Sequence, residues 1–249
     1  MTTVKLEVAG LVARVILNRP DVLNAGDAEW VNDLNVVVAE LRGRPDLRVV
    51  VLTGAGRAFS TGVDLTALAS GRFGLEDFVA WEDAMTTMEQ MDPVFIAAIN
   101  GHCLGGGLQL ALVCDYRLAS ADALIGLPAV KECLIPSMAS YRLPRLIGLA
   151  RASELILLGE SISAQDAERY GLVNRVVAAT DFARALEETI ERFLAVPPAS
   201  LRASKWLTRR AYDLGFEEFR REMNARFATC LESDDHQRAM AAIRAGRRP

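Results

Sequence analysis

Apolar positions along this chain follow two rhythms, one of period two and one close to 3.6. VKLEV and ARVILN alternate on either side of Ala9-Gly10-Leu11-Val12, which predicts a β-hairpin. From Asp27 to Leu41, the residues Trp30, Leu34, Val37, Val38 and Leu41 recur at helical spacing. RVVVLTG, Arg48 to Gly54, is short, β-branched and continuously apolar, the pattern of a strand buried on both faces. A glycine-bearing loop, GAGRAFSTGVD, follows it, and Asp64 is placed to cap a short helix, LTAL. Residues 69–76, ASGRFGLE, read as a mobile connector before a helix over Asp77 to Met91. Pro93 opens a second buried strand, VFIAAIN, with a glycine run directly after it, and DYRLAS and ALIGL predict two more short strands. From Ser137 onward the pattern is helical, broken by one strand-like segment, GLVNRVV. After Asp181 it is nearly all amphipathic helix, with Pro197-Pro198 as a joint. Strand–helix alternation followed by helices predicts an α/β core with a helical C-terminal extension.

Composition narrows the function more than the fold. The 249 residues are 51% hydrophobic and 24% charged with net charge −4, which suits a soluble domain and argues against a nucleic-acid binder. No window is apolar enough to predict a membrane span, and MTTVKLEVAG has neither a secretory nor a transit-peptide pattern, so a cytoplasmic protein is expected. Cys103, Cys114, Cys133 and Cys230 are scattered without a CxxC pair and read as reduced core cysteines. With only His102 and His236, a zinc site or a histidine triad would have to use one of these two, and no metal is expected.

Two loops share one grammar: buried strand, glycine-bearing turn, helix start. They are VVVLTGAGRAFSTGVDL and FIAAINGHCLGGGLQLAL. Helix N-termini present unpaired N–H groups and the positive end of the peptide dipoles, and glycine lets a ligand reach the backbone. Neither loop fits GxGxxG, and GxxxxGK[ST] is absent, so a phosphate loop is excluded. FSTG suggests a nucleophile elbow at Ser60, but six residues separate it from the strand end at Thr53, where an elbow follows at once. The remaining function is an oxyanion hole with one N–H from each loop, against the plain alternative that the glycines only let a helix pack closely on a sheet.

In sequence order, LNRPDVLNA (17–25), VVVLTGAGRAFSTGVDL (49–65), AAINGHCLGGGLQLALVCDYRLAS (97–120), GLPAVKECLIPSMASYRLPRLIG (126–148) and ARASELILLGESISAQDAERYGLVNRVV (150–177) resemble the crotonase, or enoyl-CoA hydratase/isomerase, family. The resemblance implies an α/β spiral of ββα units over 1–195 and a helical C-terminal trimerisation region over 196–249. It implies an acyl-CoA thioester as ligand, with coenzyme A part of the substrate rather than a cofactor, and a homotrimer or dimer of trimers. It carries the oxyanion amides onto Val63 and Gly106. Val22, Ala25, Ser60, Thr61, Asp64, Leu65, Pro128, Ala129 and Leu134, with Val63 and Gly106, are the residues expected to touch substrate.

The acid/base residues depart from the family. Family hydratases carry two glutamates; here one position is Gln109 and the other, after Pro128, is Ala129. Glutamine can orient a water but does not exchange a proton near neutral pH. Glu132, in PAVKECLIP, is the candidate for a single acid/base, with a solvated or ion-paired glutamate beside Lys131 as the alternative. Tyr141 and Cys133 are weaker candidates, read first as packing residues, and His102 is read as packing beside the glycine run. Val22 and Leu23 stand where the family often has a basic residue for the nucleotide phosphates. Two functions are compatible with this pattern: an enzyme acting through a thioester enolate, or an acyl-CoA binder without catalysis.

Overall fold

The computed structural model describes residues 2–246. Its first compact unit runs to Ile190 and its second begins at Glu191. The first opens with the expected hairpin, β1 (Val4–Ala9) and β2 (Val12–Leu17), turned at Gly10 with φ +57°. Helix α1 (Ala28–Arg42) starts at Asp27, whose carboxylate accepts from the Trp30 N–H at 3.0 Å, and it buries the face Trp30, Leu34, Val37, Val38 and Leu41. Strands β3 (Val49–Gly54) and β4 (Ala58–Ser60) lead to helices α2 (Leu65–Ala69) and α3 (Leu75–Gln90). Next come β5 (Val94–Ile99), β6 (His102–Leu104) and α4 (Gly106–Val113), then β7 (Tyr116–Ser120) and β8 (Leu124–Gly126). A 3₁₀ turn at Pro128–Glu132 precedes α5 (Ala139–Ile147), α6 (Leu149–Leu158), β9 (Ser161–Ser163), α7 (Ala164–Arg169), β10 (Arg175–Val177) and α8 (Phe182–Ala195). The second unit holds the end of α8 with α9 (Pro198–Arg209), α10 (Phe216–Glu232) and α11 (Asp234–Arg244).

Among the described residues the strands form two sheets, in the orders β1-β2-β3-β5-β7-β10 and β4-β6-β8-β9. The pairs β3/β4, β5/β6 and β7/β8 each give one strand to each sheet and then a helix or 3₁₀ turn, so the chain winds as a spiral of ββα units. The long strands β3 and β5 lie inside the first sheet, paired in parallel on both sides, which is why their sequences are apolar without alternation. No helix among the described residues is long and apolar enough to cross a membrane.

Several expectations need correction. Strands β4, β6 and β9 fall in segments read as loop or helix; each has three residues, too few for a period-two pattern, and exists because a neighbour supplies its partners. The glycine run therefore comes after β6 rather than β5. The stretch 69–76 is not a free connector. Phe73 is buried and meets Phe78 edge-on at 4.9 Å, and Gly74 opens α3 with its N–H on the Asp77 carboxylate at 2.8 Å. Cys103 and Cys114 are buried as expected, and burial pushes the Cys103 thiol up. Cys133, in contrast, is exposed at the end of the 3₁₀ turn, with φ +55°.

Asn24 positions the site from below. It is fully buried with φ +56°, accepts from the Arg19 N–H at 2.8 Å, and donates to the Ala55 and Ala58 carbonyls at 2.9 and 2.8 Å. It thus ties 17–25 to the turn between β3 and β4. Asn24→Ala strands the Ala55 carbonyl and the Arg19 N–H, leaves the Ala58 carbonyl only the Asn100 amide at 3.4 Å, and keeps a left-handed backbone that asparagine tolerates better than alanine. The expected loss is about 3 kcal/mol in denaturant unfolding. A loss under about 1 kcal/mol would mean the two segments are held by other contacts.

Candidate active site

The turn after β4 is fixed on both sides of one peptide. Thr61 donates its N–H to the Leu23 carbonyl at 3.2 Å, Gly26 donates to the Gly62 carbonyl at 2.8 Å, and Asp64 donates to the Gly26 carbonyl at 2.8 Å. The Val63 N–H between them has no protein acceptor among the described residues. In the second turn Gly105 donates to the Gly126 carbonyl at 2.9 Å and α4 begins. The Gly106 N–H, in the first turn of that helix, is also without an acceptor among the described residues.

The two turns touch. A Cβ added to Gly62, which has φ +92°, would lie 2.7 Å from the Gly106 nitrogen. Each glycine of the run answers a separate demand. Gly105 takes φ +52°, a Cβ on Gly106 would lie 2.6 Å from the Trp81 ring, and one on Gly107 would lie 2.2 Å from the Ser60 carbonyl oxygen. Their helix-propensity cost is the condition for bringing this helix start against the neighbouring turn.

Val63 and Gly106 line one cavity of about 410 Å³, within the range of small-molecule sites. Most of the expected residues line it too: Val22 and Ala25 from the first loop; Thr61, Asp64 and Leu65 around Val63; Gln109 from α4; Pro128, Ala129, Glu132 and Leu134 from the 3₁₀ turn and the loop leading to α5. Ser60 does not. It is fully buried, donating to the Asn24 carbonyl at 2.9 Å and accepting from the Gly62 N–H at 3.2 Å, so it shapes the turn from behind. This also removes it as an exposed nucleophile.

Sequence reasoning missed a whole wall, formed by Phe78, Trp81, Glu82 and Met85 of α3. Their spacing of three, one and three residues puts them on one helix face. The signal was present in the sequence: a lone acid within an otherwise apolar stripe.

The site's charges are unevenly engaged. Asp64 caps α2, accepting from the Thr66 and Ala67 N–H groups at 3.0 and 3.1 Å, and pairs with Arg19 at 3.3 Å. Glu132 is exposed, and no donor fixes its carboxylate among the described residues. Glu82 pairs through Oε1 with the Arg142 guanidinium at 2.7 Å and accepts from the Thr86 hydroxyl at 3.2 Å. Burial disfavours the Arg142 charge, yet Glu82 and Glu89 more than offset it and hold the guanidinium above its ordinary value. Gln109 is buried and its Oε1 has no partner among the described residues.

The enoyl-CoA hydratase/isomerase family model matches residues 7–247 of this chain. A (E)-benzylidenesuccinyl-CoA hydratase from Thauera aromatica is 40% identical over 81% of the chain and 80% of its own length. A probable enoyl-CoA hydratase from Mycobacterium bovis is 35% identical over 99% of the chain and 96% of its own length. The crystal structure of an enoyl-CoA hydratase from Bacillus anthracis superposes with a TM-score of 0.92 at 31% identity, covering 99% of this chain and 98% of that one. The spiral with its helical C-terminal region is the crotonase fold, and the chain belongs to the enoyl-CoA hydratase/isomerase family.

Proposed function

We propose that this protein binds an acyl-CoA thioester in the cavity and acts on it through the thioester enolate, with the enolate oxygen accepting from the Val63 and Gly106 N–H groups. One observation carries the reading: two unengaged amides, from turns in contact, line the same cavity. Donors of this kind contribute roughly 3–4 kcal/mol each when aimed at developing charge. Phe78, Trp81, Met85 and Leu134 make an apolar wall that suits an acyl group. The names of the relatives favour an enoyl thioester as substrate.

Gln109 and Ala129 leave no glutamate pair, so proton movement falls to a single carboxylate. Glu132 and Glu82 are the cavity's two candidates, because Asp64 is committed to capping and to Arg19. The same Gln109/Ala129 pair favours a second reading, an acyl-CoA binder without turnover. A panel of enoyl-CoA thioesters of differing chain and ring content, monitored by loss of the conjugated enoyl absorbance, distinguishes them. The enzyme reading expects turnover of at least one member. Binding across the panel without turnover would favour the binder, and no binding at all would defeat both.

The assembly that goes with this reading is a homotrimer or dimer of trimers. It is supported by large apolar side chains left exposed: Leu149, Leu157 and Leu158 on α6, and Phe216, Phe227 and Leu231 on α10.

A further inference from the structure

The inference rests on the enolate reading and concerns the group that moves its protons. Glu82 has one oxygen fixed by Arg142 and Thr86, while its other oxygen, Oε2, is buried with no hydrogen-bond partner among the described residues. A buried acceptor without a donor costs about 1–3 kcal/mol and calls for an explanation. A simple strut between α3 and α5 does not supply one, because Glu89 already meets Arg142, at 3.0 Å from Nη2 and 3.1 Å from Nε. One guanidinium thus serves two carboxylates. Gln109, which lines the same cavity, carries a second buried acceptor, Oε1, without a partner among the described residues. Two such acceptors suit a molecule with two O–H bonds.

We propose that Glu82 is the catalytic carboxylate of this pocket, and that with Gln109 it holds the water that adds to an enoyl-CoA. One O–H bond of the water breaks and its proton passes to Glu82 Oε2. The water oxygen bonds to the β-carbon, and the C=C π pair moves to the thioester, whose oxygen takes the negative charge under Val63 and Gly106. As the enolate collapses, the proton on Glu82 forms the α-C–H bond. The elements of water are added, the carboxylate is restored, and no electrons enter or leave. Glu132 lines the same cavity but is exposed and unheld.

The test compares the full-length wild type with Glu82→Gln and Glu132→Gln. It uses crotonyl-CoA hydration, α-proton exchange of butyryl-CoA in D₂O, and equilibrium binding of butyryl-CoA. Glu82→Gln is expected to lose about 10²–10⁴-fold in both rates, with binding within about threefold of wild type. It should fall below Glu132→Gln by at least about tenfold. The reverse order, or rates retained in Glu82→Gln, overturns the proposal. If Glu82→Gln fails to fold, Glu82→Asp decides: it keeps the charge but retracts the carboxylate, so kcat should fall at least about tenfold with KM unchanged. Undiminished kcat in that variant overturns the assignment. A wild type that binds butyryl-CoA but catalyses neither reaction removes Glu82 and leaves the acyl-CoA site standing. One that binds no acyl-CoA removes the enolate reading itself, and Glu82 with it.

Discussion

Gly62→Ala is expected to lower kcat for an enoyl-CoA by about 10²–10³-fold, the effect of losing one oxyanion donor. The new methyl would lie 2.7 Å from the Gly106 nitrogen and 3.1 Å from the Leu104 carbonyl oxygen, both backbone atoms with no side-chain freedom to yield. The backbone at φ +92° adds strain of roughly 1–3 kcal/mol for a residue with a Cβ. Relief requires the two turns to separate, and that moves the Val63 and Gly106 amides apart. KM should change far less than kcat, because the rest of the cavity lining stays in place. Steady-state kinetics on a variant whose circular dichroism matches wild type would decide it. Wild-type kcat in a folded Gly62→Ala protein would show that the two amides do not act together.

Trp30→Ala is expected to cost about 3–5 kcal/mol of stability and to damage the site as well. Trp30 is fully buried beneath the cavity, its ring centroid 4.7 Å from that of Trp81 with the planes inclined at 59°. Trp81 in turn presses against Gly106, where a Cβ would lie 2.6 Å from its ring. Emptying the Trp30 volume leaves Trp81 unsupported on that side, so the loss of packing reaches the turn that carries the Gly106 amide. Trp30→Phe refills part of the space and should recover part of both losses. Denaturant unfolding and turnover are measured together. A Trp30→Ala protein within about 1 kcal/mol of wild type would mean that neighbouring side chains collapse into the gap.

Much of the fold was legible because its signals are local. The α1 face, the uniform apolar runs of β3 and β5 and the hairpin at Gly10 each arise from residues only a few positions apart. So does the Asp64 cap, which the structure places on the Thr66 and Ala67 amides. The likeness between the two strand–glycine–helix loops was also visible, and with it the idea that one amide of each lies at a site. The short strands were not legible: β4, β6 and β9 gain their geometry from partners far along the chain. Phe73 in a polar stretch and Ser60 behind its turn show the same limit, since their surroundings are supplied by other elements.

The carboxylates show it most plainly. Glu132 is marked by its sequence neighbours, whereas Glu82 gains its Arg142 partner and its place in the cavity wall only from the packing of other elements. From the sequence alone came the strand and helix periods, the Asp64 cap, the glycine-bearing turns and the missing glutamate pair, all of which depend on residue type and short spacing. Tertiary structure alone decided which turns touch, which wall closes the cavity and which lining acid carries an unsatisfied oxygen. Those are distances between segments, and they are set by how the two sheets and α3 pack around α4.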